Sequence, residues 1–219
     1  MKWRRKKRIP TRRRLTMRWM AALLLLILVS HALGVYCLTP ERVLRSLERE
    51  QNTGDTVFLA ETDVPDDEGN CRLRLSGGED AVILARYAWS WKHGWYTNLA
   101  KYAERRQEKP FSAAVCRIRS DYDPDRKQTT DTYCVFGCVE DPGVTELVVQ
   151  FHALEGGFDQ TVRLTAADWI LDGTGNRFFL CVLLPETGNW RRGCSVTGYF
   201  ADGASTGTLE LMGAEPRWE

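Results

Sequence analysis

The chain has 219 residues and a formal net charge of +1, a near-neutral total that hides an uneven distribution of charge. Residues 1–18 contain ten Lys/Arg and no Asp/Glu, so residues 39–219 hold the other 20 Lys/Arg against all 29 Asp/Glu, a formal charge of −9. This acidic balance argues against nucleic acid as a partner of residues 39–219. That part is long enough to bury the cores of one or two domains.

Twenty consecutive uncharged residues, Trp19 to Leu38, follow the basic arm (residues 1–18). As a helix, a run of that length crosses the roughly 30 Å hydrocarbon core of a bilayer. The basic arm would also suit nucleic-acid phosphates, but its position beside the run favours a topological role. The sequence therefore predicts a transmembrane signal-anchor over residues 19–38 in the cell membrane, with the lipid bilayer as a partner. The arm is predicted to be cytoplasmic and residues 39–219 extracellular.

A cleaved signal peptide is the main alternative to an anchor. The small-x-small pattern Ser30-His31-Ala32 follows a short apolar block and resembles a cleavage site. The full length of the uncharged run favours the retained anchor. A lipid-anchored precursor is disfavoured, because Tyr36 precedes Cys37 where that processing needs a small residue.

Beyond the span, Thr39-Pro40-Glu41 has the pattern of a helix N-terminus: an N-cap threonine, a proline at the first helical position and an acid in the first turn. Val43, Leu44 and Leu47 then fall on one face. This pattern predicts a short juxtamembrane helix over residues 39–52 that docks on the first strands.

From residue 53 onward, apolar and polar residues alternate in short runs separated by turn residues, which is typical of antiparallel strands. Four strands are predicted before residue 127, at 56–60, 71–75, 81–91 and 111–118. The mixed period of residues 99–106 could be that of a short helix. The acidic loop at 121–128 is the predicted boundary of a β-rich domain over residues 53–127.

Six further strands are predicted in residues 128–219, at 133–139, 146–154, 159–164, 178–184, 195–200 and 206–212. Short strands at this spacing predict a small β-sandwich-like domain. Thr165-Ala166-Ala167-Asp168 has the form of a capping box and predicts one helical turn. The predicted fold class is therefore mainly β, with a transmembrane helix and a juxtamembrane helix before an antiparallel region.

In the order of its parts, the chain resembles uncharacterised single-pass surface proteins of Gram-positive bacteria. The shared layout is a basic arm, a span, the Thr39-Pro40-Glu41 helix and a β-rich exterior. The last module of that exterior opens here with Cys134-Val135-Phe136-Gly137-Cys138-Val139-Glu140-Asp141. The resemblance implies a location at the cell surface and no particular reaction.

Residues able to carry catalysis are few. His93 and His152 are the two histidines beyond the span, and neither lies in a nucleophile-elbow or zinc-protease motif. The cysteines occupy alternating apolar positions, which suit buried thiols better than exposed nucleophiles. The sequence favours a membrane-anchored binding or interaction protein without a cofactor. An extracytoplasmic enzyme or envelope-processing factor is the alternative.

An aromatic stripe occupies the segment from residue 87 to residue 96. In an extended strand Tyr87, Trp89 and Trp91 share one face, and Trp95 follows shortly after. Rings on an open face would bind an extracellular protein or a carbohydrate. These four residues are the candidate binding site, although the sequence favours burial of the stripe in the core.

Asp121, Asp123 and Asp125 form an Asp-x-Asp-x-Asp run, which is how a short calcium-binding loop begins. The run departs from a complete calcium loop, with Arg126 at the sixth position and Thr132 at the twelfth. The three aspartates are the candidate metal ligands, although the sequence favours an ordinary exposed acidic turn.

Six cysteines remain when Cys37 is set aside at the membrane edge: Cys71, Cys116, Cys134, Cys138, Cys181 and Cys194. Outside the cell they permit three disulfides. Cys134 and Cys138 would lie about 13 Å apart along one strand, beyond the about 7 Å limit for a disulfide. The sequence therefore predicts at least one inter-strand disulfide from Cys134 or Cys138. Buried free thiols are the alternative, and zinc is disfavoured because a second ligand pair is missing.

Overall fold

The computed structural model describes residues 12–33, 35–64, 71–123, 128–152, 160–183, 193–211 and 217–218. Within these residues two α-helices precede three antiparallel sheets, which confirms the predicted mainly β class. The elements are α1 Arg12–Ala32, α2 Pro40–Gln51, β1 Thr56–Val64, β2 Cys71–Gly78, β3 Ala81–Ser90, β4 Gly94–Glu104, β5 Phe111–Asp123, β6 Gln128–Val139, β7 Val144–His152, β8 Gln160–Thr165, a 3-10 turn Ala166–Asp168, β9 Ile170–Leu171, β10 Arg177–Leu183, β11 Gly193–Phe200, β12 Ser205–Glu210 and β13 Arg217–Trp218.

The first helix, α1, is long and apolar enough to be a membrane span or a signal sequence. None of its residues is buried against the rest of the described chain. It begins at Arg12, inside the predicted basic arm, and it ends at Ala32, six residues before the predicted end of the span. Cys37, inside the predicted span, forms an isolated parallel β-bridge with Gly94.

The second helix, α2, confirms the prediction made from Thr39-Pro40-Glu41. Thr39 is the N-cap, Pro40 is the first helical residue, and Asn52 ends the helix in the left-handed conformation with φ 53°. Val43 and Leu47 are buried against the first sheet. The local capping signals and the apolar face together account for this helix.

Glu48 ties α2 to the first strand. Its carboxylate is buried and accepts hydrogen bonds of 2.7 Å from both the backbone N and the Oγ1 of Thr56. Arg45 Nη1 donates to the other oxygen at 2.8 Å. The buried charge is therefore hydrogen-bonded and paired, as a buried carboxylate requires.

Sheet A is a meander in the order β1-β2-β3-β4. The β3 residues Ile83, Ala85 and Tyr87 pack under α2, whereas Leu73 and Leu75 of β2 face a second core. Sheet A therefore lies between α2 and the next sheet.

The predicted helix at residues 99–106 is wrong, because residues 94–104 form β4. The pairing of β3 with β4 shifts register between Arg86, opposite Leu99, and Tyr87, opposite Thr97. The extra residue is Asn98, and a bulge of this kind interrupts the period of two. β4 is also an edge strand of sheet A, and Ala103 is the one buried residue among residues 99–104, so apolar and polar residues do not alternate strictly there.

Sheet B, in the order β5-β6-β10-β9, is the central sheet and is buried on both faces. On β6, Cys134, Phe136 and Cys138 pack towards sheet A, and Val135 and Val139 pack towards the third sheet. Burial on both faces explains why β6 reads as a nearly continuous apolar run.

Strands β5 and β6 flank the predicted boundary at residues 127 and 128, and they pair with each other from Phe111 opposite Val139 to Asp123 opposite Gln128. Sheet B thus combines β5 of the first predicted domain with β6, β9 and β10 of the second. The division into two independently folding domains stays a prediction.

Sheet C has the order β13-β12-β11-β7-β8 and shares a core with sheet B. Phe111 and Phe179 of sheet B and Val149 and Phe151 of sheet C are buried in it. The capping box at Thr165 and Asp168 is present and starts the short 3-10 turn, as predicted.

A buried ion pair joins sheet A to sheet B. Arg105, directly after β4, donates to both carboxylate oxygens of Glu140, directly after β6, at 2.8 and 2.7 Å. The two side chains are only 6% and 7% exposed. The third nitrogen of Arg105 donates to Gly78 O at 2.7 Å, and the guanidinium lies 5.7 Å from the centroid of the Phe178 ring. This bidentate arrangement is the strong form of an arginine–carboxylate contact.

Candidate binding site

The exit segment (residues 35–38), which follows α1, pairs with the hairpin formed by β3 and β4. Cys37 N donates to His93 O at 3.2 Å, and Trp95 N donates to Cys37 O at 2.8 Å. Gly94 lies between them with φ +69°. A Cβ at this position would lie 2.2 Å from Cys37 O, so the close approach requires glycine. The exit segment and the hairpin therefore form one small unit.

Two further contacts hold this unit beside the end of α1. Leu38 N donates to Nδ1 of His31 in the last turn of α1 at 3.2 Å. Arg42 Nη2 donates to Ala32 O at 2.9 Å. His31 therefore has a hydrogen-bond partner outside the helix.

The structure divides the predicted aromatic stripe into buried and exposed residues. Tyr87 is 2% exposed under α2, and burial raises the pKa of its hydroxyl to about 12. Trp95 is partly buried against the same core. Trp89 and Trp91, in contrast, are 43% and 87% exposed. A ligand outside the protein would therefore meet these two residues at the end of the hairpin.

The two exposed indoles touch each other. Their ring centroids are 4.8 Å apart, and the ring planes meet at 72°, an edge-to-face arrangement. Lys92 and His93 follow in the turn between β3 and β4 and are exposed. The hairpin tip (residues 89–93) thus presents two packed aromatic rings beside a basic side chain.

A cavity of about 600 Å³ lies between the exit segment and the hairpin. Its lining includes Val35, Cys37, Val43, Ser90, His93 and Trp95. Within it, Nδ1 of His93 is 3.4 Å from Oγ of Ser90, and the same hydroxyl accepts a hydrogen bond from His93 N at 3.2 Å. The serine therefore closes the turn of the hairpin through the backbone.

His152 lies elsewhere in the fold. It is the last residue of β7 in sheet C, whereas His93 belongs to the hairpin of sheet A. Sheet B lies between these two sheets. The structure does not bring the two histidines into one site.

The predicted calcium ligands lie at the margin of the described residues. Asp121 and Asp123 are in the last part of β5, where the structure describes the backbone but not these side chains. Asp125 is outside the described residues. The calcium site stays a prediction.

The six described cysteines are free thiols: Cys37, Cys116, Cys134, Cys138, Cys181 and Cys194. The side chain of Cys71 lies outside the described residues. Burial raises the pKa of Cys116 to about 11 and that of Cys138 to about 12. Buried thiols with raised pKa values stay protonated near neutral pH and are poor nucleophiles.

The inter-strand disulfide stays a prediction, and strand register shows which cysteine lies opposite Cys134. Cys116 of β5 lies directly opposite Cys134 of β6. Opposed residues of antiparallel strands have Cα atoms about 4.5–5.5 Å apart, within the range of a disulfide. Cys138 is opposite Ser112 and Phe178, so it has no cysteine directly across from it.

We expect Cys116 and Cys134 to be the first pair linked when the protein is oxidised outside the cell. Mass mapping of the unreduced chain isolated from cells should give a crosslinked peptide that contains both residues. Replacing Cys138 with serine should leave the crosslink between Cys116 and Cys134 in place and serves as the control. Alkylation of both thiols after denaturation would contradict the prediction and identify them as core residues.

No family model matches the chain, and no curated protein and no solved structure matches it either. The function is therefore inferred from the residues and the geometry described above.

Sequence reasoning missed the role of Cys37, which was treated as an ordinary residue at the membrane edge. The contact joins residues far apart in the chain, so no local pattern marks it. The one sequence signal is His93-Gly94, a turn whose glycine permits a close approach by another backbone.

Proposed function

We propose that this chain is a membrane-anchored binding or interaction protein at the outer face of the cell membrane. In this proposal α1 is retained as a single span, the basic arm is cytoplasmic and residues 39–219 are extracellular. The observation that carries it is α1 itself, which is apolar and has no residue buried against the described protein. A bilayer would cover the side chains that the fold leaves exposed.

The charge distribution supports the orientation. Ten Lys/Arg precede the uncharged run, and the region beyond it has a formal charge of −9. Basic residues within about 15–20 positions of a span favour the cytoplasmic side. The same layout supports the proposal that the chain is a surface protein of a Gram-positive bacterium. In that proposal the sandwich-like domain, residues 128–219, lies farthest along the chain from the membrane span.

The alternative function is an extracytoplasmic enzyme or envelope-processing factor. The contact between Ser90 and His93 in the cavity is the observation that favours it. Their separation of 3.4 Å exceeds the usual reach of a nucleophile–base hydrogen bond, and the serine hydroxyl already accepts a backbone hydrogen bond. A binding function, with an extracellular protein or a carbohydrate as ligand, is the better supported of the two.

Protease added to intact spheroplasts is expected to digest residues 39–219 and to leave a membrane-bound fragment that contains α1. The exposed loops between strands supply cleavage sites on the outside only. Permeabilised cells are the control, because the basic arm is digested there as well. Protection of the C-terminal part in intact spheroplasts, or a mature N-terminus at Leu33, would contradict the anchored topology.

Crosslinking in intact cells tests the binding function. We expect a protein or glycan adduct on residues 39–219 of the full chain. A chain truncated after residue 38 keeps the arm and the span and serves as the matched control. An equal yield of adducts from both chains would contradict an extracellular interaction function.

A further inference from the structure

We propose that the hairpin tip, residues 89–93, lies in the headgroup region of the same bilayer that α1 crosses and forms a second membrane contact. The proposed occupant is the outer leaflet next to the span. The proposal rests on the proposed function, because it requires α1 to remain in the membrane. In this proposal the side chains of Trp89 and Trp91 contact lipid.

The position of the tip follows from its hydrogen bonds. Cys37, which pairs with both sides of Gly94, is five residues beyond the end of α1 at Ala32. Five residues span at most about 18 Å. The contact of Leu38 with His31 folds the segment back onto the last helical turn. The tip is therefore held near the depth at which the helix leaves the hydrocarbon.

The length of α1 places the exit segment in the interface. Its uncharged helical part, Trp19 to Ala32, rises about 21 Å at 1.5 Å per residue. The hydrocarbon core is about 30 Å thick. When the apolar part of a helix is shorter than the hydrocarbon core, the residues that flank it are drawn into the interface between hydrocarbon and headgroups. The apolar side chains that follow it, Leu33 and Val35, are 74% and 72% exposed and are available for that position.

The side chains of the tip have the chemistry of a membrane interface. Tryptophan is enriched at the headgroup level because its ring is apolar and its N–H still reaches polar partners. Trp91 is 87% exposed, so almost all of its surface is available to lipid. Lys92 beside it would be attracted to anionic headgroups.

Charge also distinguishes this hairpin from the rest of the exterior. The hairpin, residues 81–104, contains Arg86, Lys92 and Lys101 and a single acid, Glu104 at the end of β4, although residues 39–219 as a whole carry a charge of −9. An anionic membrane repels acidic segments and attracts basic ones. The hairpin is thus a region that such a surface attracts, and it lies where the chain leaves the membrane.

Quenching of tryptophan fluorescence by brominated lipid tests the contact. The full chain is reconstituted into vesicles of phosphatidylcholine and phosphatidylglycerol, with bromine near the headgroup end of the phosphatidylcholine acyl chain. The chain has eight tryptophans, and the measured quantity is the fraction of their emission that is quenched. Trp91→Phe is the test variant. Trp169→Phe is the matched control, because Trp169 packs against the core between sheets B and C.

Trp91→Phe is expected to lower the quenched fraction, because it removes a quenched fluorophore. Trp169→Phe is expected to raise it, because it removes an unquenched one. Lys92→Glu is expected to reduce the quenching of Trp91, since it places an acid at the tip. A rise in the quenched fraction with Trp91→Phe would overturn the proposal and place Trp91 in water or against another partner.

Carbonate extraction of the same vesicles separates this proposal from the proposed function. If the full chain is retained in the membrane and the quenched fraction rises for Trp91→Phe, the anchor stands and only the hairpin contact is overturned. Extraction of the full chain by carbonate would overturn the anchor and the hairpin contact together.

Discussion

Glu140→Gln is expected to destabilise the folded chain by about 3–5 kcal/mol, the usual cost of removing one partner from a buried ion pair. The substitution leaves the guanidinium of Arg105, only 6% exposed, without its carboxylate. Because Arg105 also binds Gly78 O, the uncompensated charge cannot move into water without breaking the junction of sheets A and B. The midpoint of thermal unfolding in detergent micelles should fall by roughly 6–20 °C.

Glu104→Gln is the matched control for this substitution. Glu104 pairs with Arg106 at 3.2 Å, but these side chains are 65% and 53% exposed. Exposed pairs contribute little to stability, so the change should stay within about 0.5 kcal/mol. Equal effects of the two substitutions would show that the pair of Arg105 and Glu140 is hydrated and does not join the sheets.

Gly137→Ala is expected to cost about 3 kcal/mol or more, at the upper end of the overpacking range. A Cβ at Gly137 would lie 1.9 Å from the backbone O of Ser112 and 2.9 Å from Cζ of Phe179. The first contact is with the backbone of the paired strand β5, which cannot rotate away as a side chain could. Sheet B is packed on both faces, so neighbouring groups cannot shift into solvent to relieve the strain.

Gly173→Ala provides the control for Gly137→Ala. A Cβ at Gly173 would meet no described atom within 4 Å. The same chemical change should therefore alter the free energy of unfolding by less than about 0.5 kcal/mol. The measurement is chemical denaturation of the full chain in micelles, followed by near-UV circular dichroism. An unchanged midpoint for Gly137→Ala would contradict the close packing of β5 against β6.

The elements that the sequence predicts well are those with local signals. Thr39 and Pro40 mark the start of α2, and Asn52 marks its end. Each of these signals comes from residues at the helix end itself. Alternation of polar and apolar residues marks most of the strands in the same way. The helix predicted at residues 99–106 is the exception, because residues 99–104 are extended through pairing with β3 at the edge of sheet A, which their local pattern does not signal.

The candidate site was predicted only in part. The sequence places Tyr87, Trp89 and Trp91 on one face of a strand, but it does not tell which of them is covered. The core under α2 includes Tyr87, whereas Trp89 and Trp91 stay exposed at the end of the hairpin. The position of a helix across a sheet depends on the packing of both elements. The exposure of Trp89 and Trp91 therefore cannot be predicted from the sequence of the strand alone.

The apolar N-terminal helix, the short helix after it and the predominance of strands can be predicted from the sequence, because each follows from residues that are neighbours in the chain. The pairing of Glu140 with Arg105, 35 residues away, and the pairing of Cys37 with the turn at Gly94 are known only from the folded structure. These contacts depend on the stacking of sheets and the docking of a hairpin. Their free energy comes from burial and pairing between distant segments, which the local sequence pattern does not encode.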